Sequence, residues 1–225
     1  MTKLTINGIE IEADRNWTIL KAAEHAGVTI PTLCYHKDLS PTGACRMCLV
    51  NVKGARGLTT ACTTPVSEGM EVETENEGLA SSRRSVLKLL LSVYHDQGYK
   101  PDESDNDLFK WARFYGLDPH RYMSTKARYE VDSDPNPFIF VDLNKCILCT
   151  RCVRACSEIQ GRFVWGVSER GFEAHVVPGM EEDMIDARCE SCGACVAYCP
   201  TGALSLKPTI NEPAAEKKVT TTCAY

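Results

Sequence analysis

Twelve of the thirteen cysteines in this 225-residue chain fall into three groups of four, so any fold must bring those groups together. The positions are 34, 45, 48 and 62, then 146, 149, 152 and 156, then 189, 192, 195 and 199, with Cys223 left over. An odd count, and an N-terminus ("MTKLTINGIEIEA") without an apolar leader, argue against a secreted disulfide framework. Clustered cysteines in a reducing compartment are more often metal ligands, so a cytoplasmic protein is expected. The net charge of −5 is spread along the chain, which gives no basic patch for nucleic acid. The longest apolar stretch, "VLKLLLSVY", is interrupted by Lys88 and falls short of a membrane span.

The second and third groups each spell C-x2-C-x2-C-x3-C, and each cysteine stands 43 residues from its counterpart. Three thiolates at that spacing wrap one corner of a four-iron cube, and in two-cluster ferredoxins the fourth cysteine serves the other cube. This predicts one [4Fe–4S] cluster on Cys146, Cys149, Cys152 and Cys199, and a second on Cys189, Cys192, Cys195 and Cys156. Pro200 after Cys199 matches the usual ending, whereas Ser157 after Cys156 does not. Structural zinc is the alternative, but zinc sites place a longer loop between two ligand pairs. In the first group, Cys34, Cys45 and Cys48 share a long loop, and Cys62 is expected from a strand. A loop of that kind suits the flat [2Fe–2S] rhomb, although plant-type ferredoxins have a shorter first gap. Zinc, or four unligated core cysteines, remains open for this group. Gly43, Ala44 and Gly54 are small enough to let backbone N–H groups approach sulfur.

Around these groups, "LTINGIEIEA" reads as a hairpin turning type I′ at Asn7-Gly8. Residues 18–26 read as a short helix stopped by Gly27, and "GLTTACTTPV" and "MEVETE" as further strands. Val86, Leu89, Leu90 and Val93 give a helix over 79–94 its apolar face. Residues 96–137 are acidic and broken by four prolines, with one helical pattern at 105–115, and read as a connector lying on its neighbours. "RFVWGVSERGFEAHVVPG" reads as a hairpin turning at 169–171, and the residues after Pro208 as an extended polar tail.

The stretch "IPTLCYHKDLSPTGACRMCLVNV…ACTTPVSEGMEV" resembles the [2Fe–2S] region of the complex I 75 kDa-type subunit. Related families are NAD-linked hydrogenase diaphorase small subunits, iron hydrogenases and formate dehydrogenase catalytic subunits. The resemblance implies an α+β chain: a β-grasp [2Fe–2S] domain over 1–77, a helical connector over 78–137, a two-[4Fe–4S] ferredoxin domain over 138–208, and a tail over 209–225. It also implies partners: a flavin/NAD(P)-binding subunit and a catalytic formate dehydrogenase or hydrogenase subunit or domain. These families place a further cube after the "LLLS" helix, held by one histidine and three cysteines. Here His95 stands alone, with no cysteine between Cys62 and Cys146, so that cube is expected to be missing. Without this stepping point, the [2Fe–2S] centre is expected to lie off the direct electron route unless a partner bridges it. "KKVTTTCAY" resembles the start of a molybdopterin formate dehydrogenase domain, which keeps open an N-terminal fragment of such an enzyme. A non-catalytic Fe–S sensor is the other alternative, though no helix-turn-helix surface is evident. With no nucleotide-binding motif and no nucleophile or acid–base constellation, the expected function is electron relay, without catalytic residues of its own.

Overall fold

The computed structural model describes residues 1–98 and 106–207. Tyr99, the 99–105 part of the connector, and the tail with Cys223 lie outside the described residues. The chain opens with β1 (Thr2–Ile6) and β2 (Ile9–Ala13), paired antiparallel from Thr2↔Ala13 to Ile6↔Ile9. Asn7 and Gly8 both take positive φ, as a type I′ turn requires. Helix α1 (Ile19–His25) is capped by the Thr18 hydroxyl, which accepts from the Lys21 amide. Then come β3 (Leu49–Val52), β4 (Thr59–Thr60) and β5 (Met70–Glu73). They complete a five-stranded sheet in the order β2-β1-β5-β3-β4, in which β1 and β5 run parallel and the other pairs antiparallel. Helix α1 closes one face of the sheet over Leu4, Ile6, Val50 and Val72, giving the β-grasp arrangement.

Helix α2 (Glu77–Ser92) starts at Asn76, whose side chain accepts from the Leu79 amide. Its Arg83 is fully buried and donates to the carbonyls of Leu49 (2.6 Å) and Thr74 (2.8 Å), pinning the helix to the sheet. Two short helices follow, α3 (Asp107–Phe114) and α4 (Pro119–Tyr122). The connector packs onto its neighbours more deeply than a segment lying on their surface. Phe109 and Leu108 are fully buried in one core with Leu87, Leu91, Cys34 and Cys45 of the N-terminal half and Ile147 and Cys149 of the C-terminal half. The acidic, proline-rich composition hid this, because four apolar side chains per helical turn pair are enough to make a wedge.

The C-terminal part has two small antiparallel sheets. In one, β6 (Ile139–Val141) pairs with β9 (Leu204–Leu206); in the other, β7 (Trp165–Ser168) pairs with β8 (His175–Pro178). The connection between β7 and β8 spans 169–174 and includes a 3₁₀ turn at Gly171–Glu173, longer than the tight turn expected. Helices α5 (Arg151–Arg154) and α6 (Ala194–Ala197) stand in the two cysteine motifs. Among the described residues, no helix is long and apolar enough to cross a membrane.

Candidate iron–sulfur sites

The β3–β4 pairing brings the first group together. With Leu49 opposite Thr60, the Ala61 amide donates to the Cys48 carbonyl at 2.9 Å, so Cys48 and Cys62 meet at the mouth of the hairpin. Cys62 does not sit on a strand, as the sequence suggested, but in the turn after β4. The Thr64 hydroxyl bonds back to the Thr60 carbonyl at 2.8 Å, and this closes the chain into a turn. Across the loop, the Cys34 amide points at the Cys45 sulfur (3.4 Å) and the Cys45 amide at the Cys34 sulfur (3.5 Å). All four cysteines are buried. Gly43 has φ +63°, and a Cβ there would press on the Thr63 methyl at 3.3 Å. Gly54 instead serves the β3–β4 turn and takes no part in the cysteine loop.

Hydrogen bonding sets the charge of these thiols. Cys34 is pulled down to about 5, first by the Cys45 thiol and then by the amides of Cys45 and Ala44 and the Thr42 side chain, against the opposing effect of burial. Cys48 is pulled down to about 7 by the Cys62 thiol and by the amides of Cys62 and Ala61. Their partners, Cys45 and Cys62, move up, each as the donor to its neighbour. Donors converging on sulfur favour thiolate, the form that binds iron.

The two C-terminal motifs repeat in backbone as well as in sequence. Leu148 and Thr150 take positive φ, and so do their counterparts Ser191 and Gly193. The Leu148 amide donates to the Cys146 sulfur and the Ser191 amide to the Cys189 sulfur, each at 3.4 Å. Cys146, Cys149, Cys152 and Cys199 line one cavity, closed by apolar side chains such as Ile147, Val176 and Leu204. Burial pushes Cys146 and Cys149 up to about 12, and the Cys199 charge adds to the rise at both and at Cys152. Cys189 is raised by burial and then by the charges of Cys192 and Cys156. Cys156 sits in a π-helical turn (Ala155–Ile159) and accepts from the Val164 amide at 3.3 Å. Burial pushes Cys195 up to about 12, and the Trp165 side chain opposes that rise, an effect that cysteine spacing alone does not reveal. All twelve described cysteines are free thiols. Among the described residues, no group of three or more His, Cys, Asp or Glu is placed to hold a metal ion. The donor set is nonetheless what iron–sulfur clusters require: thiols in fours, one set around a closed apolar cavity, with amides aimed at sulfur.

His95 is half-buried, and its Nδ1–H donates to the Ser124 carbonyl at 2.8 Å, while its amide donates to the Asn144 carbonyl. Sequence reading missed three side chains that join the two cysteine regions. Arg151, Arg154 and Glu158 lie on one helical face at i, i+3 and i+7. Arg151 donates to the Tyr35 carbonyl, Arg154 to those of Cys34 and Ser40, and Glu158 accepts from the Ser40 amide. The Cys34 loop therefore packs directly on the Cys149 loop.

Comparison with known proteins agrees with both halves. Residues 1–77 match the 2Fe-2S iron-sulfur cluster binding domain, and residues 136–205 match the ferredoxin-like domain of NADH-quinone oxidoreductase subunit 3. The chain is 40% identical over 210 residues to the NADPH-Fe(3+) oxidoreductase subunit alpha of Geobacter sulfurreducens, covering 92% of this chain and 24% of that one. It is 37% identical to the NADP-reducing hydrogenase subunit HndD of Solidesulfovibrio fructosivorans (91% and 36% covered). It is 33% identical to the mitochondrial NADH-ubiquinone oxidoreductase 78 kDa subunit of Candida albicans (92% and 28% covered). The chain thus spans roughly a quarter to a third of these relatives. A chain in the crystal structure of NAD+-reducing [NiFe]-hydrogenase in the H2-reduced state superposes with a TM-score of 0.83 at 27% identity, covering 92% of this chain and 87% of that one. The chain thus carries a 2Fe-2S cluster binding domain and an NADH-quinone oxidoreductase subunit 3-type ferredoxin-like domain, and its relatives are NADH-quinone oxidoreductase 75/78 kDa-type and NAD(P)-linked hydrogenase subunits.

Proposed function

We propose that this chain is the electron-relay part of an NAD(P)- or ferredoxin-linked oxidoreductase, serving a flavin/NAD(P)H-side partner and a catalytic metal site. Cys34, Cys45, Cys48 and Cys62 would hold one [2Fe–2S] cluster. Cys146, Cys149, Cys152 and Cys199 would hold one [4Fe–4S] cluster, and Cys189, Cys192, Cys195 and Cys156 a second. When bound, such clusters supply one-electron transfer without proton or group chemistry. The protein supplies thiolates, the amides aimed at them, and an apolar wall of Ile147, Val176 and Leu204 that keeps water from the first cube set. What supports the exchange of fourth cysteines is that Cys199 lines one cavity with Cys146, Cys149 and Cys152, and that charge on Cys156 acts on Cys189.

A hydrogenase-type catalytic partner has the better support, because the relatives include hydrogenase subunits. The formate dehydrogenase reading rests on the tail around Cys223, outside the described residues. Native affinity capture followed by mass spectrometry tests the partners. A flavoprotein and a metal-dependent redox subunit are expected, and recovery of a transcription complex instead would favour the sensor reading. The same spectra report whether the native polypeptide extends beyond residue 225 into a catalytic domain.

A further inference from the structure

Arg154 is 7% exposed, yet among the described residues no carboxylate forms an ion pair with it. Its Nη2 donates to the carbonyls of both Cys34 (2.7 Å) and Cys149 (3.0 Å), and its Nη1 to that of Ser40 (2.6 Å). Its Nε is buried without a partner. The acid whose charge it does feel, Glu158, is at the surface and is bonded to Ser40. Arg151, one turn earlier, differs in having Asp107 at 3.7 Å. A buried cation is costly unless negative charge compensates it, and three neutral carbonyls do so only in part. Two of those carbonyls belong to cysteines of different cluster sets, so anionic groups on both sides would complete the compensation.

We infer that Arg154 is a positioning residue for electron transfer between the [2Fe–2S] site and the Cys146/Cys149/Cys152/Cys199 site. It ties the Cys34 and Cys149 main chains to one guanidinium, and its charge favours the reduced state of both groups. This rests on the cluster reading above. The step it serves moves one electron, oxidising one centre and reducing the other, with no proton or atom transferred. A planar fork suits the role, because it reaches several fixed acceptors at once where an ammonium offers only a point charge.

The test is an EPR-monitored redox titration of the anaerobically purified full chain, comparing wild type, Arg154→Gln and Arg154→Lys, with iron content measured throughout. For Arg154→Gln, the reduced-to-oxidised ratio at fixed potential should fall about tenfold at those two centres, about 59 mV for one electron. The second cube should not move. Arg154→Lys should restore the ratio but weaken the magnetic interaction between the two reduced centres. Full iron with unshifted potentials in Arg154→Gln overturns the inference. If Arg154→Gln fails to assemble, Arg154→Lys decides: wild-type iron with an unchanged interaction overturns it, and a weakened interaction supports it. An iron-free wild-type chain overturns the cluster reading, and this inference with it.

Discussion

In the N-terminal cysteine loop, amides and neighbouring thiols pull Cys34 down to about 5 and Cys48 to about 7. In the first C-terminal set, burial pushes Cys146 and Cys149 up to about 12. The N-terminal set is split, with Cys34 and Cys48 lowered and their partners Cys45 and Cys62 raised, whereas Cys146, Cys149 and Cys152 all rise. The irregular loop between Cys34 and Cys48 leaves amides free to face sulfur, so part of its thiolate charge is already stabilised before metal arrives. The short turns at Leu148 and Thr150 give fewer donors and surround the thiols with hydrocarbon. Iron binding must displace protons in both regions, from Cys45 and Cys62 as well as from Cys146 and Cys149, which ties loading to pH.

The most damaging way to break the comparison is to remove a cube ligand. Cys156→Ala and Cys192→Ala should each abolish the same [4Fe–4S] signal, with loss of about four irons, and leave the other cube in place. If Cys156→Ala instead removes the cluster of Cys149, the exchange of fourth cysteines is wrong. Cys62→Ser should alter or abolish only the [2Fe–2S] EPR signal, since a hydroxyl is a harder ligand than thiolate for iron. Loss of all three signals together would erase the division into two regions.

The pH dependence of the metal-free protein tests the burial of the first C-terminal set. Cys146 and Cys149 have folded values raised above the ordinary 9.0, so they keep their protons in the fold while the unfolded chain releases them. Their contribution to stability is fully present below pH 9 and is lost as pH rises toward about 12. Thermal melts of the metal-free chain should therefore fall across that window, and Cys146→Ser, whose hydroxyl does not titrate there, should flatten the fall. An unchanged slope in that variant would contradict the burial argument.

Smaller effects are expected from the connector. Trp111 is half-buried and its Nε1–H donates to the Thr32 carbonyl at 3.1 Å, so Trp111→Ala should cost about 2 kcal/mol in chemical denaturation, below the range for a fully buried ring. Phe114 of the same segment is 70% exposed, whereas Phe109 is fully buried. Lys110 and Arg113 are exposed, whereas Asp107 is half-buried toward Arg151. His95→Ala removes one hydrogen bond to Ser124 and should cost about 1 kcal/mol with iron content unchanged. Loss of about four irons in that variant would show that His95 is a ligand.

The cysteine spacings, the Asn7-Gly8 hairpin and the helices near 19–25 and 77–92 were legible because each depends on residues close in sequence. Local chemistry decides a type I′ turn or an apolar helical face. What could not be read was the meeting of distant segments. Arg154 and Cys34 are 120 residues apart, and nothing in "RCVRAC" marks its second arginine as more than a solvated charge. The 3.6-residue period of Arg151, Arg154 and Glu158 was a usable signal for a shared face, but it could not name the loop on which that face would land. The connector misled for a related reason: its prolines and acids describe its outer side, while Phe109 and Leu108 carry its packing.

The account stands on three cluster sites of two kinds, and iron with acid-labile sulfide in the anaerobically purified chain measures that most directly. About ten irons per chain, two from the N-terminal site and eight from the paired cubes, is the predicted result. About fourteen irons, which would require a third cube, or a chain with zinc and little labile sulfide, would contradict it.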